Sequence, residues 1–268
     1  MLKLRLVGID WQNDFVDSQG ALYVPGADKA ASRISKMIHR ILPKIYDIDE
    51  TVDSHPFRHI AHPIWWVDSN GQHPKPFTLI SEEDVLKGSW RTINPAFQQR
   101  GLEYVQALKR NGRYVLCIWP PHCLIGSWGH NIFPEIYQAF RAWEEAYGNV
   151  NYHVKGSNPF TEHYSAVMAD VPDPSDPTTM LDTKPGSLIH SLGEADIIVL
   201  TGIASSHCLA NTVLDIANNF PDPSYINKMV YIEDATAAVP GFEHLTDSFV
   251  NQMVSRGMQI STTDKFLA

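Results

Sequence analysis

Residues 196 to 212 read DIIVLTGIASSHCLANT, an apolar run followed by a short turn and a stretch of helical character. Runs of Val, Ile and Leu without polar alternation are typical of strands that are buried on both faces, as in parallel sheets. Similar runs occupy residues 4–9, 113–119, 151–154 and 229–233. The five runs predict strands of one mostly parallel sheet.

Segments of helical period lie between these runs. In residues 28–46, isoleucines recur every three or four positions, at Ile34, Ile38, Ile41 and Ile45. Pro43 is expected to kink or end that helix. Further helices are predicted at residues 132–147, 185–194, 207–219 and 244–256. Alternating strands and helices predict an α/β fold, a doubly wound three-layer α/β/α sandwich with a mostly parallel central sheet.

Residues 56 to 100 interrupt this alternation. They hold five prolines and the aromatic residues Trp65, Trp66 and Trp90, and little of the stretch has a helical or strand pattern. Such a segment predicts an insertion, placed around 56–112, that serves as a lid, a pocket wall or an oligomer contact. We expect residues 1–268 to form a single domain that includes this insertion.

Composition excludes several classes of protein. The chain has 21 Lys and Arg against 30 Asp and Glu, a net charge of -9, which has the wrong sign for binding nucleic acid. No signal peptide and no long apolar span is evident, so we expect a cytoplasmic protein without a membrane partner. Three cysteines do not make a disulfide framework, and the odd count leaves a free thiol.

Polar residues follow the predicted strands in a consistent way. In open α/β sheets, ligands bind beyond the carboxyl ends of the strands, so these residues should meet at one edge. They supply carboxylates, imidazoles, an ammonium group and a thiol, and they are Asp10, Asp53, His55, His122, Lys155 and Cys208.

Cys208 can be a nucleophile, a metal ligand or a packed core residue. A helix N-terminus and a cation such as Lys155 favour the reactive thiolate. A carboxylate such as Asp10 can take the thiol proton and return it to a leaving amine. Backbone N–H groups of the turn before Cys208 can stabilise an oxyanion. The residues together predict acyl transfer to cysteine, followed by hydrolysis.

A second group of side chains has the composition of a metal site. Asp53 and His55, joined by His122, offer one carboxylate and two imidazoles, which suit a divalent metal ion, with zinc favoured and iron or manganese as alternatives. His59 and His62 are close enough in sequence to join or substitute. The alternative is that these histidines only cap turns.

Four motifs resemble those of the nicotinamidase and isochorismatase-like cysteine hydrolases, in the nicotinamidase-like branch. They are DWQNDF at 10–15, WPPHC at 119–123, KGSNPFTEHYSA at 155–166 and GIASSHC at 202–208, in the family's order. The resemblance implies a catalytic triad of Asp10, Lys155 and Cys208. It also implies an oxyanion hole from the backbone N–H groups of Ala204 and Cys208, after a cis peptide at Ile203–Ala204.

The resemblance also implies a substrate and a cofactor. A divalent metal on Asp53, His55 and His122 would hold the pyridine nitrogen of the substrate, and the ring pocket would be lined by Phe15, Trp119 and Tyr164. The expected reaction is hydrolysis of nicotinamide, or a close small carboxamide, to the acid and ammonia through a thioester. The resemblance weakly favours a homo-oligomer.

Two alternatives stay open beside this reading. One is a related cysteine hydrolase that acts on another amide, ureido or carbamoyl substrate, and the other is a non-catalytic binding protein. Two features depart from the family pattern. Ser206 stands where the family has Asp, two places before the cysteine, and the insertion has no counterpart in compact nicotinamidases.

Overall fold

The centre of the fold is a six-stranded parallel sheet, seen in a computed structural model that describes residues 2–268. Its strands are β1 (Leu4–Ile9), β2 (Ile45–Asp53), β7 (Asn151–Lys155), β8 (Ile197–Ile203), β9 (Met229–Ala237) and β10 (Gln259–Ser261). Their order across the sheet is β10-β9-β8-β1-β2-β7, and each neighbouring pair is parallel. The predicted α/β class with a mostly parallel sheet is therefore confirmed.

The strand order reverses at β1. From β1 the chain passes to β2 and β7 on one side of the sheet, and later to β8 and β9 on the other. Ligand sites in such sheets lie at this switch point, beyond the carboxyl ends of the strands. β8, β1, β2 and β7 are consecutive neighbours, so the residues that follow these four strands meet along one edge.

Helices with an apolar face pack around the sheet, and a short helical turn follows β1. They are α1 (Asn13–Val16), α2 (Ala27–Ile41), α5 (Pro134–Glu144), α6 (Leu188–Gly193), α7 (Cys208–Asn219) and α8 (Glu243–Ser255). α2 packs against β9 and α5, whereas α7 packs against β8 and α8. Among residues 2–268, none of these helices has both the length and the apolar character needed to cross a bilayer.

The helix predicted within residues 28–46 ends just before Pro43, as expected from that proline. α2 ends at Ile41, and a 3-10 turn at Leu42–Lys44 contains Pro43. The proline has no N–H to continue the helix, so the chain leaves it there. Ile45, taken as part of the helical face, instead begins β2.

The strand predicted at residues 113–119 does not belong to the central sheet. Only β6 (Leu116–Cys117) is extended, and it pairs antiparallel with β4 (Leu79–Ile80), outside the central sheet. The backbone after β6 also forms a hydrogen bond with the insertion, because Trp119 N–H donates to the Ala61 carbonyl over 2.8 Å. The position beside β2 is taken by β7. As the edge strand, β7 is largely exposed rather than buried on both faces.

The insertion holds more regular structure than its sequence indicates. β3 (Trp66–Val67) pairs with β5 (Arg91–Thr92), and α3 (Glu82–Leu86) lies between β4 and β5. The helix α4 (Gln98–Arg110) follows, and its sequence did not predict it. Gly101 of α4 lies against the Trp66 ring, where a side chain would be within 3.0 Å of ring carbon. Buried tryptophans thus organise this segment.

Candidate active site

Asp10 lies just after β1, in a backbone conformation with φ of 52°. Its N–H donates to the Thr51 carbonyl and hydroxyl oxygens, over 3.2 and 3.1 Å. The Thr51 hydroxyl in turn donates to Asp10 Oδ1 over 2.5 Å. The carboxylate is fully buried and fixed in orientation, with Oδ2 directed at Lys155.

Lys155, at the end of β7, joins three of the predicted residues. Its ammonium group lies 2.9 Å from Asp10 Oδ2, 3.0 Å from Asp53 Oδ1 and 3.6 Å from Cys208 Sγ. Burial acts to lower the pKa of Lys155, but the two carboxylates raise it well above its usual value. A cation therefore stands between the carboxylates and beside the thiol.

Cys208 is the first residue of α7 and its side chain is buried against Lys155. The amides that begin a helix have no acceptor within it, so they are available to a ligand. Burial raises the pKa of the Cys208 thiol well above its usual value, and Lys155 opposes this shift without cancelling it. Burial thus opposes the effect of the helix N-terminus and of Lys155 on thiolate formation, because removal from water disfavours the charged form.

Asp10, the expected base for the Cys208 proton, also has a shifted pKa. Burial raises the pKa of its carboxyl group, although Lys155 works in the opposite direction. A carboxylate with a raised pKa is a stronger base. The resting pair is thus a thiol beside a base, and the thiolate forms when a substrate takes up the charge.

This state gives a testable pH dependence. We expect a small alkylating reagent to modify Cys208 slowly at pH 7, with the rate rising as pH increases beyond the usual thiol pKa of about 8.5. The physical reason is that the raised pKa of Cys208 leaves little thiolate at neutral pH. Mass spectrometry of the labelled peptide measures the rate. Full labelling of Cys208 within seconds at pH 6 would contradict a raised pKa of its thiol.

Asp53, at the end of β2, forms the other half of the site. Its Oδ2 lies 2.9 Å from His55 Nε2 and 3.4 Å from His122 Nε2. The ligand atoms of these three residues all lie within 4.8 Å of one another and are buried. Burial acts to raise the pKa of Asp53, but His55 and Lys155 hold it well below its usual value.

The imidazoles are oriented by backbone carbonyl groups. His55 Nδ1 lies 3.1 Å from the Gly156 carbonyl oxygen, and His122 Nδ1 lies 2.8 Å from that of Pro120. A carbonyl can only accept, so each Nδ1 carries the proton and each Nε2 presents a lone pair to Asp53. Either a second proton on His55, whose pKa burial acts to lower but Asp53 raises, or a cation among these atoms satisfies the Nε2 lone pairs that face the carboxylate oxygen. This donor set fits a divalent metal ion, with second hydrogen bonds of the kind that orient metal ligands.

His59 and His62 differ in their hydrogen-bond partners. Both nitrogens of His59 have backbone partners: Nε2 lies 3.0 Å from the Thr161 carbonyl, and Nδ1 accepts from Ala61 N–H over 3.2 Å. His62 Nδ1 lies 3.0 Å from the Phe57 carbonyl, and its buried Nε2 has no partner among residues 2–268. His62 shares the pattern of His55 and His122, whereas His59 bonds the backbone at both nitrogens and forms, with His55 and Glu162, a second group of candidate ligand atoms.

A small pocket opens onto both halves of the site. Its lining includes the three predicted pocket residues, Phe15, Trp119 and Tyr164. It also includes Asp53, His122, Ala204 and Cys208. Trp119 Nε1–H donates to the Tyr164 hydroxyl over 2.9 Å, which fixes both rings. The peptide bond between Ile203 and Ala204 is cis.

Comparisons with known proteins identify relatives in sequence and in fold. No family model matches the chain. The nicotinamidase of Saccharomyces cerevisiae is 25% identical over 131 residues, 49% of this chain and 49% of that protein, so the chain matches about half the length of this curated relative. A solved nicotinamidase pyrazinamidase of Acinetobacter baumanii is 21% identical, with 98% of each chain covered and a TM-score of 0.65. The chain is thus similar to nicotinamidases in sequence over about half its length and in fold over nearly all of it.

A further solved neighbour is the pyrazinamidase of Pyrococcus horikoshii in complex with zinc. It is 18% identical, with 97% of this chain and 99% of that chain covered, and the TM-score is 0.55. Together these structures show the nicotinamidase-like fold over nearly the whole chain.

Two pocket residues of this nicotinamidase-like chain were not among the predicted ones. Glu162 and His207 both line the pocket. Glu162 Oε1 accepts from His163 N–H over 2.9 Å, whereas the buried Oε2 has no partner among residues 2–268. The sequence did carry a signal, because each residue lies within two positions of a predicted site residue, Tyr164 or Cys208.

Proposed function

We propose that this protein is a cysteine amidase that hydrolyses nicotinamide, or a close small carboxamide, to the carboxylic acid and ammonia. The observation that carries the proposal is the contact of Lys155 with both Asp10 and Cys208 at the base of an aromatic pocket. A buried thiol, base and cation in mutual contact have no role in packing that apolar residues would not fill better.

The first half of the reaction forms a thioester. Asp10 takes the Cys208 proton as Sγ attacks the amide carbonyl carbon, and the carbonyl oxygen becomes an oxyanion. Backbone N–H groups of Ala204 and Cys208 would stabilise it, and Lys155 would balance the charge that moves onto sulfur. Collapse of the tetrahedral intermediate breaks the C–N bond. Asp10 returns its proton to the leaving nitrogen, which departs as ammonia.

The second half releases the acid. Water attacks the thioester carbonyl while Asp10 takes one of its protons. The C–S bond then breaks, and the proton returns to Sγ, so that the thiol is restored. The same carboxylate therefore acts twice as a base and twice as an acid, which its raised pKa suits.

We propose that a divalent metal ion is held by Asp53, His55 and His122, with His62 as a further ligand. The support is the shared orientation of the three imidazoles and the unpartnered Nε2 of His62. Zinc is the favoured ion, since a solved neighbour is a zinc complex and imidazole with carboxylate suits it. When bound, the ion would hold the ring nitrogen of the substrate and so orient the amide toward Cys208.

His59 and His62 form a matched pair for testing the ligand set. We expect His62→Ala to weaken zinc binding by about 10- to 100-fold, in the range seen when metal-site partners are removed. His59→Ala should leave zinc affinity within about threefold, because both His59 nitrogens already bond the backbone. Competition with a fluorescent zinc chelator measures affinity without turnover. An equal loss in both variants, or a loss only in His59→Ala, would contradict the assignment.

The function itself is tested by ammonia release. Purified protein loaded with zinc should release ammonia and nicotinate from nicotinamide in equal amounts, measured by coupled assay and by chromatography. Protein that is metal-loaded and folded but releases no ammonia from nicotinamide or related carboxamides would refute the proposal.

One observation favours the alternative substrates. Glu162 lines the pocket and has a buried carboxylate oxygen without a partner among residues 2–268, and a carboxylate in this position suits an additional N–H on the substrate. Ureido and carbamoyl compounds carry that group. Including them in the substrate panel separates the two readings while the mechanism stays the same.

A further inference from the structure

His207 adjoins the nucleophile, yet the proposed chemistry does not use its imidazole. Its ring lines the pocket beside Cys208. Four aromatic rings surround it with centroids 5.0 to 5.5 Å away, those of Tyr114, Trp119, Tyr164 and Phe242. A polar ring among apolar rings has few partners, so the position of its proton decides what it can bind.

A short chain of hydrogen bonds sets that position. Val239 N–H donates to Ser206 Oγ over 3.1 Å, and the same Oγ lies 2.9 Å from His207 Nδ1. Ser206 is fully buried, and its hydroxyl has no other acceptor among residues 2–268. The hydroxyl hydrogen is therefore given to Nδ1. A neutral His207 then carries its own proton on Nε2.

The ring is neutral at working pH. Burial lowers the pKa of His207 to about 4, so at pH 7 it holds a single proton. Within residues 2–268, no protein group accepts a hydrogen bond from Nε2–H. A donor in a largely apolar pocket without a protein acceptor is satisfied by a ligand or by water.

We propose that His207 determines substrate specificity by donating a hydrogen bond from Nε2 to an acceptor that the substrate carries in addition to its reacting carbonyl oxygen. The inference rests on the amidase function proposed above and narrows its substrates to ring carboxamides with a second acceptor, such as an oxo or alkoxy substituent. Ser206 is a positioning residue that keeps the donor directed at the pocket.

The proposal is tested with matched substrates and two neighbouring serines. Nicotinamides bearing either a methoxy or an ethyl group, at one ring position at a time, differ in acceptor but little in shape. We expect kcat/KM to favour methoxy by about tenfold or more at one position, the size of a typical hydrogen-bond discrimination. Ser206→Ala and His207→Phe should lose this preference. Ser205→Ala should keep it, because Ser205 Oγ bonds Thr246, 3.0 Å away, and not His207.

Two outcomes would overturn the role of His207 and leave the proposed amidase function intact. One is hydrolysis by the wild type with no methoxy preference at any position. The other is an equal fall in kcat for both substrates in Ser206→Ala, which would indicate a structural role or an effect on the reacting carbonyl. If no amide in the panel releases ammonia, the amidase function fails as well.

A second measurement does not depend on turnover. The ¹⁵N shifts of the His207 ring should show a neutral imidazole protonated at Nε2 in the wild type and in Ser205→Ala. In Ser206→Ala, we expect a mixture of tautomers, since the hydroxyl that donates to Nδ1 is absent. A wild-type ring protonated at Nδ1, or an imidazolium at pH 7, would refute the proposal.

Discussion

Replacing Cys208 by alanine is expected to reduce kcat/KM for nicotinamide by about 10⁴-fold or more, since loss of a nucleophile removes the covalent pathway altogether. The side chain contacts Lys155 and lines the pocket, and no other thiol does so among residues 2–268. Ammonia release measures the loss. Residual activity within tenfold of wild type would exclude the thioester mechanism.

Cys117→Ala is the matched control for this variant. Cys117 is also a buried cysteine, but it lies in β6, paired with β4, away from the pocket lining. We expect its activity to stay within about threefold of wild type, because only a small core side chain is shortened. Rapid quenching with substrate should trap an acyl adduct on Cys208 in the wild type, and in Cys117→Ala alike.

The second large effect is expected for Asp10→Asn. The amide has the shape of the carboxylate but cannot take the thiol proton, so kcat should fall by about 10³-fold, within the range for general bases. KM should change far less, since Asp10 is not among the residues that line the pocket. Steady-state kinetics separates the two constants. A fall in KM alone, with kcat unchanged, would contradict the role of base.

The wild-type pH profile gives the companion result. Protonated Asp10 cannot accept the thiol proton, so kcat should fall as pH decreases through the pKa of Asp10. Because burial raises that pKa, the fall should begin at a higher pH than an exposed aspartate with pKa of about 3.9 would give. Asp28→Asn, an exposed change at the start of α2, should leave the profile unchanged.

The sequence predicted the position of the site better than the topology around it. Asp10 and Cys208 follow neighbouring strands, as the rule for strand ends requires, and Lys155 does so from the sheet edge. His122 reaches the same place although its presumed strand lies outside the sheet. Apolar runs indicate that a segment is buried, but they do not specify its pairing partner, which depends on distant backbone groups.

Burial and hydrogen-bond competition explain what the sequence could not provide. The sequence pointed to a helix N-terminus and a cation that favour the Cys208 thiolate, but it could not show the burial that raises the pKa of that thiol. His59 and His62 are equivalent in the sequence, and only their backbone partners distinguish them. Glu162 and His207 lacked a recognised motif role. The catalytic and metal roles of the predicted residues, and the single domain, stay predictions.

The placement of β1 between β2 and β8 has a consequence for how the protein is made. Asp10 is translated almost two hundred residues before Cys208, and the two meet only when β8 has docked beside β1. Pairing between such distant segments is entropically costly to begin and slows folding. A chain released from the ribosome before residue 203 would leave β1 with a bare edge and no nucleophile, so reactivity should arise late, as one of the last steps of maturation.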